Sequence, residues 1–206
     1  MPDGKINLIF DCDGTLIDSY KAIIDRECRL FREHDIICNP AKIRELSLLT
    51  SVNESVKMLA SQIGLDGDAL IKEIHALSEN RSLITLFDGV KEVLANSKFR
   101  FFVYTHRGPS CKEIFETLGI LDFFEEIVDR TYGFKRKPDS EGVDYLVNKY
   151  NLDKNNTFYV GDRALDIECG INAGIKTIFF NSSALNVDAS KADYVINSFD
   201  EINSLF

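Results

Sequence analysis

Aspartates crowd a short segment near the start of this 206-residue chain. The segment is Asp11-Cys12-Asp13-Gly14-Thr15-Leu16-Ile17-Asp18-Ser19, and it directly follows the apolar run Ile6-Asn7-Leu8-Ile9-Phe10. Three later apolar runs are followed by similar chemistry. Residues 99–104 (FRFFVY) precede Thr105-His106-Arg107-Gly108. Residues 126–128 (EIV) are followed, slightly further on, by Lys135-Arg136-Lys137-Pro138. Residues 157–160 (TFYV) precede Gly161-Asp162-Arg163-Ala164-Leu165-Asp166. Carboxylates, a hydroxyl and an ammonium in these positions suit phosphoryl transfer. Clustered aspartate oxygens are hard ligands, matched to Mg²⁺ rather than to zinc, so Asp11, Asp162 and Asp166 are candidates to hold one ion. Such a cluster repels itself without a cation, and the cation would also cancel repulsion between a carboxylate nucleophile and a phosphate dianion. One aspartate can then form an acyl phosphate. A second, two residues on, shares its orientation at a strand end and can protonate the leaving oxygen, then activate water. Thr105 and Lys137 can hydrogen-bond and neutralise the oxygens of the transferring group.

The elements that position these groups follow from the same runs. Residues 6–10, 99–104, 126–128, 157–160, 176–180 and, more weakly, 194–196 are short, apolar and rich in β-branched and aromatic residues, as buried parallel strands require. Between them, 88–96, 109–118, 139–150 and 163–173 carry helical spacing. Pro109 stands at a first helical position, and Gly119 and Gly174 follow the ends of two of these segments. Strands alternating with such helices predict an α/β fold, a Rossmann-like parallel sheet covered on both faces. The alternation breaks between 19 and 83, where 19–33, 52–63 and 69–83 all show helical periodicity. This predicts an all-α insertion after strand 1. The core is then 1–17 with 84–206, the insertion is 18–83, and hinges fall near 16–19 and 84–88.

Composition narrows the partners. Hydrophobic residues make up 45% and charged residues 28%, an ordinary globular balance, and the formal net charge is −9. An acidic surface repels phosphate backbones and anionic lipid, so neither nucleic acid nor a membrane is expected as a partner. A phosphorylated substrate must find local positive charge in its site. The cysteines Cys12, Cys28, Cys38, Cys111 and Cys169 are odd in number and form no C-x-x-C pair. Neither a disulfide framework nor a zinc site is expected, and a cytoplasmic location fits. No basic segment followed by a long apolar stretch marks the start as a signal peptide.

The four segments, in this order, resemble the haloacid-dehalogenase-like hydrolase superfamily, in its phosphoglycolate-phosphatase and β-phosphoglucomutase-like branch. The match rests on DCDGTLIDS, the apolar strand ending at Thr105, then Lys137, then GDRALD, and it runs from Asp11 to Asp166. The resemblance implies an enzyme, a phosphoric monoester hydrolase acting on a small phosphorylated metabolite through a phospho-aspartate. Asp11 would be the nucleophile and Asp13 the general acid/base, with Thr105 and Lys137 binding phosphate. Mg²⁺ would be held by Asp11, the main-chain carbonyl of Asp13 and Asp162, with Asp166 helping. The helical insertion would be the family's cap, which closes over the site and chooses the substrate. His106 stands where many members carry a small or amide residue. It and Arg107 join the phosphate-binding candidates, Arg107 with either the phosphate or the cap in reach.

Plainer readings stand beside these. Lys135 rivals Lys137. Asp162 also stands where an N-cap would, and Asp166 is either a site carboxylate or an exposed first-turn acid. Thr50, Ser51, Asn53 and Glu54 form either a specificity loop or an interhelical turn with an N-cap. A sugar phosphomutase would use the same phospho-Asp chemistry. A phospho-Asp signalling module is disfavoured, because receiver domains are shorter and lack both the insertion and the second aspartate. The expected assembly is a monomer or weak homodimer.

Overall fold

The computed structural model describes residues 5–182 and 189–206. Residues 1–4, part of the first core segment expected above, lie outside the described residues. Six strands, β1 (Ile6–Phe10), β2 (Phe99–Tyr104), β3 (Glu126–Val128), β4 (Thr157–Gly161), β5 (Lys176–Phe180) and β6 (Tyr194–Ile196), form one sheet. Their order is β3-β2-β1-β4-β5-β6, and every neighbouring pair is parallel. The α-helices among the described residues are α1 (Tyr20–Glu33), α2 (Pro40–Leu49), α3 (Val52–Gln62), α4 (Gly67–Ala76), α5 (Val90–Leu94), α6 (Ser110–Leu118), α7 (Glu141–Tyr150) and α8 (Ala164–Ala173). The expected Rossmann-like α/β core is therefore present. None of these helices is long and apolar enough to cross a membrane.

The chain divides into two compact units, Met1–Asp18 with Leu86–Phe206, and Ser19–Thr85. In the sheet unit, the central strands are apolar on both faces because both are covered. Leu8, Ile9 and Phe10 of β1 and Tyr159 and Val160 of β4 are completely buried. One core layer joins Ile9, Phe102, Tyr104 and Tyr159 to Val143, Leu146 and Val147 of α7 and Cys169 and Ala173 of α8. Truncating a residue such as Phe102 to alanine there would cost about 3–5 kcal/mol. Strand order reverses at β1: the chain runs outward through β2 and β3 on one side, then through β4, β5 and β6 on the other. Such a reversal opens a crevice at the carboxyl ends of the central strands, where Asp11 and Asp162 emerge.

The helical unit has its own core of Leu30, Phe31, Ile43, Val56, Ala60, Leu70 and Ile74. It contains a helix the sequence periodicity does not single out, α2. Asn39 caps it by accepting from the N–H groups of Ala41 and Lys42, and Pro40 takes the first helical position. Ser51 caps α3 by accepting from the Glu54 N–H, so the turn reading applies to that polar segment. A disulfide joins Cys28 of α1 to Cys38, contrary to expectation. The chain reverses after α1 and carries Cys38 back beside it, a pairing that a ten-residue separation does not announce. Cys12, Cys111 and Cys169 are free and buried.

Candidate active site

The chain leaves β1 into a tight turn. Gly14 takes φ +82°, which any side chain would strain, and the N–H groups of Leu16 and Ile17 both donate to the Cys12 carbonyl. Asp11 is still in register with the sheet, its N–H donating to the Val160 carbonyl at 2.9 Å. That pairing lays the end of β1 beside the end of β4, and so brings residues 11 and 162 together. Carboxylate oxygens of Asp11, Asp162 and Asp166 lie within 4.8 Å of one another, and all three residues are buried.

One ammonium enters this cluster. Lys137 Nζ lies 2.5 Å from Asp11 Oδ1 and 2.7 Å from Asp166 Oδ1, with its side chain 2% exposed. The rings of Tyr104 and Tyr159 flank it, 5.6 and 5.5 Å from the nitrogen. Burial alone would lower the lysine's pKa. Asp11 and Asp166 outweigh burial and hold the ammonium well above its ordinary value. Burial pushes the Asp11 carboxyl up to about 7, against the pull of Lys137 and with Asp166 and Asp13 adding to the rise. Lys135, the rival, has its side chain mostly exposed and its ammonium 3.6 Å from Asp139.

Asp162 is oriented by Thr15, whose hydroxyl donates to its carboxylate at 3.2 Å. It is not a helix cap: Arg163 occupies the N-cap of α8. Asp166, at the third helical position, closes the turn by accepting from the Arg163 N–H at 3.1 Å. Asp166 is also fully buried, which removes the exposed-acid reading. Gly161 is required at the end of β4, because a Cβ there would overlap the Asp166 side chain.

The groups after β2 are placed differently. Thr105 is 2% exposed, and its hydroxyl accepts from the Arg107 N–H. Arg107 turns its guanidinium onto Asp13, with Nη2 2.6 Å from Oδ1 and Nε 3.0 Å from both oxygens. The Asp13 carboxylate is therefore turned to Arg107 and stands outside the three-carboxylate cluster. His106 faces the lysine-bearing segment, its Nε2 accepting from the Lys137 N–H at 2.8 Å. Burial lowers the imidazole to about 3, and Lys137, Arg136, Arg163 and Arg130 all oppose its protonation, so it is neutral. Cys12 packs its sulfur 3.5 Å from that of Cys111.

Three carboxylates against one ammonium leave an excess of negative charge in a buried site. All the donor atoms are oxygens, the set that a hard divalent cation takes. The residues fit Mg²⁺. Nothing in the spacing singles out Thr15, Tyr104 or Tyr159, because their partners lie 147, 31 and 55 residues away along the chain.

The family profile described as haloacid dehalogenase-like hydrolase matches residues 8–180. Pyrophosphatase PpaX of Bacillus velezensis is 25% identical, over 98% of this chain and 97% of that protein. Phosphoglycolate phosphatase of Vibrio parahaemolyticus is 26% identical, over 98% of this chain and 96% of that protein. The crystal structure of a HAD-superfamily hydrolase of subfamily IA, variant 1, from Geobacter sulfurreducens is similar with a TM-score of 0.76. It is 20% identical and covers 99% of this chain and 98% of its own, a likeness of fold.

Proposed function

Because the chain belongs to the haloacid dehalogenase-like hydrolase family, we propose that it is a Mg²⁺-dependent phosphatase of small phosphate monoesters that works through a phospho-aspartate. The observation that carries this reading is the buried Lys137 ammonium set between the carboxylates of Asp11 and Asp166, with Asp162 alongside. An Asp11 oxygen attacks phosphorus, the P–O bond of the ester breaks, and the departing oxygen takes a proton from Asp13, which carries one once its carboxyl has turned from Arg107 toward the ester. Asp13 then takes a proton from water. The water oxygen attacks the acyl phosphate, the bond to Asp11 breaks, and inorganic phosphate leaves. Lys137 and the Thr105 hydroxyl hold the phosphoryl oxygens. Asp11, Asp162, Asp166 and the Asp13 carbonyl would hold Mg²⁺. Bound there, the ion supplies positive charge that balances both the carboxylates and the phosphate dianion. Arg107 and His106 are assigned no direct phosphate contact, since they engage Asp13 and the Lys137 main chain.

The substrate is a small phosphorylated metabolite. Relatives named for pyrophosphate and phosphoglycolate put those two compounds first in any panel. The reading expects a monomer or weak homodimer; the Cys28–Cys38 disulfide removes the ground on which a cytoplasmic location was expected. The test is hydrolysis of p-nitrophenyl phosphate by purified protein with Mg²⁺. Asp11→Asn abolishes turnover while the circular dichroism spectrum is unchanged, and EDTA abolishes it in the wild type. Turnover by Asp11→Asn at the wild-type rate would reject the nucleophile. Conversion of β-glucose 1-phosphate to the 6-phosphate would replace this reading with the mutase.

A further inference from the structure

Lys137 must place one ammonium between two carboxylates, yet it sits at the end of a long flexible side chain on a loop. A free lysine has about 2 kcal/mol of rotamer entropy to lose. The loop itself is held from the end of β2 by two side chains. Tyr104 Oη donates to the Lys135 carbonyl at 2.8 Å, and His106 Nε2 accepts from the Lys137 N–H at 2.8 Å. Residues 104 and 106 are two apart at a strand end, a spacing that sends both side chains to the same side. Tyr104 is itself anchored. Its carbonyl accepts from Tyr159 Oη at 2.8 Å, and its ring lies so close to Gly142 that a Cβ there would overlap it. The Tyr104 and His106 rings meet edge to face, with centroids 6.3 Å apart. His106 can accept at Nε2 only as the neutral imidazole with its proton on Nδ1, and burial, with the four cations around it, keeps the ring neutral.

We propose that Tyr104 and His106 are positioning residues for Lys137, fixing the main chain on both sides of Arg136 so that the lysine ammonium reaches Asp11 and Asp166. Neither touches the reacting atoms. The kinetic consequence rests on Lys137 being a phosphate-binding group. The positional consequence does not.

Three variants of the full chain separate these consequences. His106→Phe keeps a ring against Tyr104 and removes the acceptor. His106→Gln restores an acceptor at similar reach. Tyr104→Phe removes only the hydroxyl, and it tests the clamp even if the histidine variants fold poorly. Acylation of Lys137 by N-hydroxysuccinimidyl acetate, followed by peptide mass spectrometry, reads the lysine's position without any assay of turnover. In the wild type Lys137 is protected. In His106→Phe it is labelled several-fold faster, in Tyr104→Phe less so, and His106→Gln returns it toward wild type. With p-nitrophenyl phosphate and Mg²⁺, kcat/KM falls on the order of tenfold to a hundredfold in His106→Phe and recovers in His106→Gln. Lys137 equally protected in His106→Phe, Tyr104→Phe and the wild type would overturn the proposal. Faster labelling in a protein whose wild type hydrolyses no phosphate ester would uphold the clamp and reject the phosphatase.

Discussion

Burial drives two carboxyls of this molecule to the same place. Asp11 in the sheet unit and Glu27 in the helical unit are both pushed up to about 7. Their surroundings are unlike. Asp11 stands at a strand end with an ammonium 2.5 Å away and two further carboxylates within 4.8 Å, contributed by segments more than a hundred residues distant. Glu27 stands in the middle of α1, and two hydroxyls hold it, Ser55 Oγ at 2.8 Å and Ser47 Oγ at 3.1 Å, with Arg26 adding a through-space attraction. Among the described residues of the helical unit it is the only buried charged side chain. A raised pKa therefore does not identify a site. What separates the two is company: Asp11 is gathered with charges of both signs, while Glu27 is held by two neutral hydroxyls of its own unit.

Removing the ammonium breaks that contrast with the largest effect. In Lys137→Met the phosphoryl oxygens lose a preorganised donor, and Asp11 and Asp166 are left facing each other unscreened. Loss of one such donor lowers kcat by about a hundredfold to a thousandfold, or about 3–4 kcal/mol. Glu27→Gln, by contrast, leaves kcat unchanged. Steady-state kinetics with p-nitrophenyl phosphate check both. Equal losses in the two variants would dissolve the distinction between a reactive cluster and a solvated carboxyl.

The contrast also governs what is legible in the sequence. Buried parallel strands are continuous apolar runs, so residues 6–10, 99–104 and 176–180 stand out by composition alone, and the groups just past them are read in the same glance. Asp11 and Asp13 were legible because they directly follow the apolar run of β1, two residues apart. Lys137 was set above Lys135 only by its place in the order of the motifs, since both lie in one basic run. It is the fold that buries the one among Asp11, Asp166 and two tyrosine rings. Arg107 was legible as a site residue but not its partner, because Asp13 lies 94 residues away. The cap of α8 was misplaced by one residue, since the turn after Gly161 runs on to Arg163 before the helix starts. Helix α2 was obscured because, among its described residues, the buried apolar positions are only Ile43 and Leu46. Glu27 gave no signal at all: a lone acid on a helix reads as surface, and only the packing of α1 against Ser47 and Ser55 buries it.

The next effect concerns the helical unit alone, which encloses a small core and carries the disulfide. Cross-linking positions ten apart removes loop entropy from the unfolded chain worth about 3 kcal/mol. The sheet unit, whose three cysteines are free, has no such support. Dithiothreitol lowers the urea midpoint of the oxidised wild type, whereas a Cys28→Ser, Cys38→Ser double variant is insensitive to it and unfolds near the midpoint of the reduced wild type. Peptide mass mapping without reductant gives the direct check. Two free thiols at 28 and 38 in air-oxidised protein would remove the staple.

The smallest effect tests Glu27 by pH. In the unfolded chain a glutamate titrates near 4.5, and in the folded unit burial moves it to about 7. Between those values the folded protein keeps a proton that the unfolded chain has released. Stability from this group is therefore greatest at low pH and falls as pH rises from 4.5 through 7, becoming level above that. Between pH 5 and pH 8 the loss is about 2–3 kcal/mol. Asp11 contributes a slope of the same sign, so the wild-type profile alone cannot isolate Glu27. The difference between wild type and Glu27→Gln can. The glutamine has no proton to lose, its amide oxygen still accepts from a serine hydroxyl, and its own pH dependence retains only the Asp11 part. Urea unfolding of the two proteins at pH 5 and pH 8 gives this difference: near zero or favouring wild type at pH 5, and favouring Glu27→Gln at pH 8. A difference that stays constant across the range would mean that Glu27 is ionised throughout and that Arg26 and the two serines support the charge, which would bring it closer to Asp11 than its surroundings suggest.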